Sequence, residues 1–197
     1  MQILKASDGV QTPWRNGGGV TREVAAWPPG TGAADFDWRI SIATVSRGGP
    51  FSAFPGVDRE LAVLEGVLRL SIHGRDAVSV GPQSPSVHFP GDVPTSGEPQ
   101  DGPVMDLNVM TRRGKFSSHM TRLAIQGRCA VADRTGGLAG GGAFIVALAP
   151  ITLSQHGNES PLAKYDIAWI TASDVDVTLV AQAAGCVLVE ILPRLAL

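Results

Sequence analysis

No apolar run in this 197-residue chain approaches the length of a membrane span. The longest, Ala143 to Pro150, falls far short of the roughly 20 residues a helix needs to cross a bilayer. The first eight residues, Met1 to Asp8, lack the apolar core of a secretory signal, which predicts a cytoplasmic protein with no membrane partner. Cysteine is scarce. Cys129 and Cys186 stand far apart, without the paired spacing of zinc or redox sites, and read as buried thiols in a reducing compartment. Histidine is scarce too: His73, His88, His119 and His156 never come closer than 15 positions, so neither His-x-His nor His-x-x-x-His arises. No metal and no other cofactor is expected. A net charge of −2 gives no electrostatic reason for a nucleic-acid partner. The short basic run Arg112, Arg113, Lys115 reads as a solvated loop. Without a Gly-x-Ser-x-Gly elbow, a serine nucleophile has no support.

What is present is apolar and punctuated. Hydrophobic residues make up 44% of the chain and charged residues 17%, which excludes disorder and leaves enough material for a core. Helical periodicity is hard to find. The 24 glycines and 14 prolines cut the sequence into short apolar runs, the pattern of an all-β sandwich or barrel. Expected strands include 21–25, 38–44, 60–72, 77–80, 86–89 and 104–110. Others are expected at 144–153, 165–171, 175–181 and 186–192. The segment Pro94 to Pro103, rich in glycine, proline and polar residues, reads as a boundary loop. It predicts two small barrels, 1–102 carrying the pocket and 103–197 following it.

One stretch, Gly49 to Gly66, organises the rest. It begins as a Gly/Pro turn and ends as a strand, with Asp58, Arg59 and Glu60 at the joint. Strand alternation puts Arg59 on one face with Leu61 and Val63, and Asp58 and Glu60 on the other. The same alternation separates Trp38, Ile40 and Ile42 from Arg39, Ser41 and Ala43, and aligns Thr21 with Glu23. The candidate site is therefore Thr21, Glu23, Arg39, Ser41, Ser52, Asp58, Arg59 and Asn108. Arginine among hydroxyl and amide groups suits a small carboxylate, which a guanidinium holds with two parallel hydrogen bonds. Purely structural ion pairs, Arg39 with Glu23 and Arg59 with Asp58, stand as the alternative. Two glycine tracts, Asn16-Gly17-Gly18-Gly19 and Gly136 to Gly142, lack the ending of a phosphate loop. The first is expected to supply positive φ beside Thr21 and Glu23, and Asn16 at its head joins the candidate set.

Two segments resemble cupins: Leu61 to Leu70, like the strand, turn and strand of a first cupin motif, and Phe89-Pro90-Gly91-Asp92-Val93-Pro94-Thr95, like a second. Metal-binding cupins would carry His-x-His near Ser52 and Phe54 and a further histidine near Thr95. This chain has none of them, so the resemblance implies the fold without the metal.

A closer similarity is to the HutD/Ves family. Trp14-Arg15-Asn16-Gly17-Gly18-Gly19-Val20-Thr21-Arg22-Glu23 resembles its opening motif. Trp38 to Ala43, Gly49 to Arg59, Phe89 to Asp92 and Asp106-Leu107-Asn108-Val109-Met110 resemble later motifs in the same order. From about Thr111 onward the resemblance is only general. It implies a bicupin of bacterial origin linked to histidine utilisation. That pathway would be restrained by binding a small intermediate, such as a formylated or imidazole-derived acid, around the motif arginine, here Arg59. The stress role suggested for Ves relatives is the other option. A rival reading is an isomerase or hydrolase with Glu23 or Asp58 as general base and Arg59 as anion clamp. A third is a structural or protein-binding module. A homodimer is compatible with each.

Overall fold

The structure, a computed structural model, describes residues 1–8, 11–14, 16–31, 35–131 and 138–194. Arg15 of the opening motif, and Gly136 and Gly137 of the second glycine tract, lie outside the described residues. In chain order the strands begin β1 Gln2–Leu4, β2 Gln11–Pro13, β3 Gly19–Trp27, β4 Trp38–Val45, β5 Gly49–Pro50, β6 Val57–Glu65, β7 Leu68–Ile72, β8 Val78–Val80 and β9 Val87–Pro90. They continue β10 Thr95–Pro99, β11 Val104–Arg112, β12 Phe116–Val131, β13 Gly142–Ala147, β14 Ile151–Gln155, β15 Asn158–Leu162, β16 Ile167–Ile170 and β17 Val177–Pro193. Among the described residues the only helical piece is a short 3-10 turn, Ala6–Asp8, so the fold is all-β as the Gly/Pro punctuation implies. No helix there is long and apolar enough to cross a membrane.

The chain divides into two compact units, Val10–Ser117 and Met1–Gly9 with Ser118–Leu195. The expected boundary after residue 102 is therefore displaced. The reason is β11, which lies in the middle of a six-stranded sheet ordered β2-β3-β4-β11-β6-β9 and cannot leave the first unit. The supposed boundary loop Pro94 to Pro103 holds another strand, β10, between β5 and β7 in a sheet ordered β5-β10-β7-β8. Backbone pairing, not side-chain apolarity, makes β10 a strand. Its Gly97 is required, since a Cβ there would come within 2.9 Å of the Phe51 ring and 3.1 Å of Leu68.

Between these two sheets lies the core of the first unit: Val45, Leu61, Val63, Val104 and Phe89 from one, Leu68, Leu70, Ile72 and Val80 from the other. Burying side chains of this size stabilises by about 1.5–3 kcal/mol each. Gly66, at φ +77, turns β6 back into β7, which splits the long run expected at 60–72. On the six-stranded sheet, Trp38, Ile40 and Ile42 are buried as the alternation predicts. The basic run after β11 is no free loop. Arg113 pairs with Asp58 at 2.8 Å and Asp92 at 3.1 Å, Lys115 pairs with Asp37 at 2.8 Å, and Arg112 donates to the Phe36 carbonyl.

The second unit is a sheet ordered β1-β16-β13-β17-β14-β15, with β12 also on β17. Its core gathers Ile125, Ile145, Leu153, Ile170, Leu179 and Cys186. Burial pushes the Cys186 thiol up to about 12, so it stays neutral, as expected of a buried thiol. β12 eluded the sequence because its residues alternate poorly: FSSHMTRLAIQGRCAV keeps only a few positions buried.

Candidate functional site

Register across the six-stranded sheet builds the site row by row. Met110 stands opposite both Arg39 and Arg59, and Arg59 opposite Phe89, which makes one row across four strands. Asn108 stands opposite Ser41, which in turn faces Glu23. Asp106 stands opposite Ala43, which faces Thr21. Strands about 4.8 Å apart with period-2 alternation direct all these side chains to one face. All but Phe89 line a cavity of about 760 Å³, together with Trp14, Asn16, Phe51, Ser52 and Phe54. That volume lies within the ordinary range for small-molecule sites.

Arg59 is the centre. It is 8% exposed, and its guanidinium carbon lies 4.9 Å from the Phe51 ring centroid and 5.2 Å from that of Phe89. Among the described residues its one direct hydrogen bond is long: Nη1 donates to the Ser52 carbonyl at 3.5 Å. Nε is buried with no hydrogen-bond partner among the described residues. Burial, partly countered by the charge of Asp106, lowers the guanidinium to about 10, which leaves it cationic at neutral pH. A buried cation without a full set of acceptors is costly unless something else supplies them.

Two acceptors on the same wall are in the same condition. Asp106 is 2% exposed and Asn108 6%, and the Oδ1 of each is buried without a hydrogen-bond donor among the described residues. Burial pushes the Asp106 carboxyl up to about 7, against the opposing pull of Arg59. Glu23 is satisfied, accepting from Arg39 Nε at 2.7 Å. Trp14 Nε1 donates to Thr21 Oγ1 at 2.7 Å, which fixes the indole at the cavity edge.

Among the expected residues, Asn16, Thr21, Glu23, Arg39, Ser41, Ser52, Arg59 and Asn108 all line this cavity. Asp58 does not. It points to the opposite face of β6 and pairs with Arg113, so the structural pair of Arg59 with Asp58 does not form, and Asp58 is not placed to act as a base here. The structural pair of Arg39 with Glu23 does form. Glu60, on the face of Asp58, is fully buried and accepts from Ser86 Oγ at 2.7 Å, with His88 Nε2 at 3.0 Å. Asn16 Oδ1 accepts from the Gly18 amide at 2.9 Å and so shapes the turn as well as the rim. The glycine tract differs from expectation in detail. Gly17 alone of the three has positive φ (+65), while Gly19 is required because a Cβ would collide with the Thr44 carbonyl. Sequence reasoning missed Asp106 and the aromatic walls, Trp14, Phe51 and Phe54. The signal for Asp106 was available: it shares the alternation of Asn108 and Met110.

Over residues 6–189 the sequence matches the model of the HutD family. The chain belongs to this family. Among relatives, it is 38% identical over 138 residues to Protein Ves of Citrobacter koseri, a match covering 68% of this chain and 66% of that protein, just under two thirds of its length. In three dimensions it is similar to HutD from Pseudomonas fluorescens SBW25, solved in a formate condition, with TM-score 0.79, 25% identity and 98% of each chain covered. A cupin 2 conserved barrel domain protein from Leptotrichia buccalis shares the fold, with TM-score 0.61, 12% identity, and 98% and 96% of the two chains covered. The all-β architecture of this HutD family member is thus cupin-like.

Proposed function

We propose that the protein is a metal-free binding protein for a small carboxylate or formyl-bearing metabolite, acting in the cytoplasm as a modulator of histidine utilisation. In this reading the two units are the two barrels of a bicupin, and the ligand occupies the first. One observation carries it: Arg59, buried against the neighbouring rings of Phe51 and Phe89, lines the cavity, and its Nε has no hydrogen-bond partner among the described residues. A guanidinium packed against aromatic rings is held without using up its donors, which leaves them for a planar anion, and a low-dielectric wall strengthens that pairing. Membership of the HutD family supports the link to histidine breakdown.

Calorimetric titration with small carboxylates tests the reading. Wild-type protein binds, Arg59→Lys binds more weakly because it loses the planar fork, and Arg59→Ala loses about 2–5 kcal/mol. Unchanged binding in Arg59→Ala places the ligand elsewhere.

A second reading, an enzyme, gains support from Asp106, a cavity carboxyl raised to about 7 and so suited to general base work near neutral pH. It replaces Asp58 in that role. Turnover of urocanate or formylglutamate by purified protein, abolished in Asp106→Asn, decides for it.

A further inference from the structure

We propose that the ligand of this cavity is a bifunctional acid, its anionic end held by Arg59 and an N–H or O–H donor taken up by Asp106 and Asn108. The proposal rests on the reading of the cavity as a carboxylate site and specifies which acids it prefers. Among the described residues the wall carries three buried polar atoms without hydrogen-bond partners: one donor, Arg59 Nε, and two acceptors, Asp106 Oδ1 and Asn108 Oδ1. Each belongs to a side chain more than nine-tenths buried. A simple carboxylate satisfies only the donor and leaves both acceptors stripped of water. An acid with a hydrogen-bond donor further along its skeleton completes all three.

The acceptors are separated from the anion end by the architecture. Asp106 and Asn108 lie on β11, on the same face as Met110, the residue opposite Arg59. The acceptor positions are thus two and four residues along the strand from the arginine row, and the ligand must be extended to reach them. Glu23 differs from these two acceptors: Arg39 Nε donates to its Oε2 at 2.7 Å and its side chain is exposed, so it is not an acceptor stripped of water. Sites with buried groups built to pair a substrate hydroxyl or amine discriminate against analogues that lack it, because the abandoned group stays unpaired.

Matched acids test this on the full-length chain by calorimetric titration at pH 8: 4-hydroxybutanoate against pentanoate, and 3-(pyrrol-2-yl)propanoate against 3-(furan-2-yl)propanoate. Within each pair the donor-bearing acid should bind about tenfold tighter, the size of one hydrogen bond to a charged acceptor. Desolvating the extra O–H works against 4-hydroxybutanoate, so a preference for it reports pairing with the protein. Asp106→Ala and Asn108→Ala should each bring the ratio within a pair toward one, whatever they do to the affinity common to both members, whereas Arg59→Ala should weaken both members of a pair alike. Melting curves check that each variant folds, and either β11 variant suffices for the test. Equal affinities within both pairs in wild type overturn the inference and leave the carboxylate site standing. Failure of all four acids to bind overturns the reading of the site itself.

Discussion

Asp106 and Arg59 share one cavity wall without closing an ion pair, and burial moves them in opposite directions, the carboxyl up to about 7 and the guanidinium down to about 10. The consequence for stability has a definite sign. A carboxyl raised from its ordinary 3.8 holds its proton in the folded chain while the unfolded chain releases it. Its contribution is therefore full below about pH 4 and is lost as pH rises through about 7. Each tenfold change in proton affinity is about 1.4 kcal/mol, which bounds the loss at about 4 kcal/mol. Asp106→Asn lacks this titration. Its melting temperature minus that of wild type should grow between about pH 4 and pH 7 and level off above. A difference independent of pH means that Asp106 is ionised throughout.

His88 offers a second titration, on the opposite face of β6. The hydrogen bond to Glu60, partly opposed by burial of the ring, raises the imidazole above its ordinary 6.5. Stability from this pair is present below 6.5 and fades as pH climbs through the raised value. Proton NMR should place the His88 midpoint above 6.5 in wild type and lower in Glu60→Gln. A wild-type midpoint at or below 6.5 removes the pair.

The cavity wall has no histidine or cysteine among its lining residues, and Glu23, one of its two carboxylates, is already paired with Arg39. First-row transition metals favour imidazole and thiolate ligands in sites of this kind. Carboxylate affinity should therefore be the same before and after exhaustive treatment with EDTA. A loss of affinity that zinc or manganese restores would overturn the metal-free reading.

Alternation carried much of the site. On β4 and β6 it placed Arg39, Ser41 and Arg59 correctly, because strand geometry allows a side chain only two directions. It also put Asp58 and Arg59 on opposite faces, which already argued against joining them in one pocket. Proximity in sequence favoured Asp58, but its side chain turns to the other face and pairs with Arg113, just after β11. β10 and β12 were illegible for a different reason. Their residues are strand because neighbouring backbones offer hydrogen bonds, and no local pattern in Thr95-Ser96-Gly97-Glu98-Pro99 records that. The unsatisfied state of Asp106 is likewise a property of the assembled wall, since it depends on which donors five strands fail to bring.

Gly19 and Gly18 make the last comparison, because adjacent glycines in one motif should respond very differently to the same change. At Gly19 a Cβ would collide with the Thr44 carbonyl and reach 3.3 Å from the Trp14 ring. The carbonyl belongs to β4, paired with β3, and cannot retreat without opening the ladder. At Gly18 the nearest atom is Asn16 Oδ1 at 3.1 Å, the end of a short side chain that can swing away. Gly19→Ala should cost about 1–3 kcal/mol, as overpacking against fixed backbone does. In a chain of this size that lowers the melting temperature by about 2–10 °C. Gly18→Ala should cost under about 1 kcal/mol. Because Trp14 is hydrogen-bonded to Thr21 on the cavity edge, displacing it should also weaken carboxylate binding in Gly19→Ala. Thermal melts and titrations of both variants check this, and equal effects at the two positions would reduce the tract to an ordinary loop.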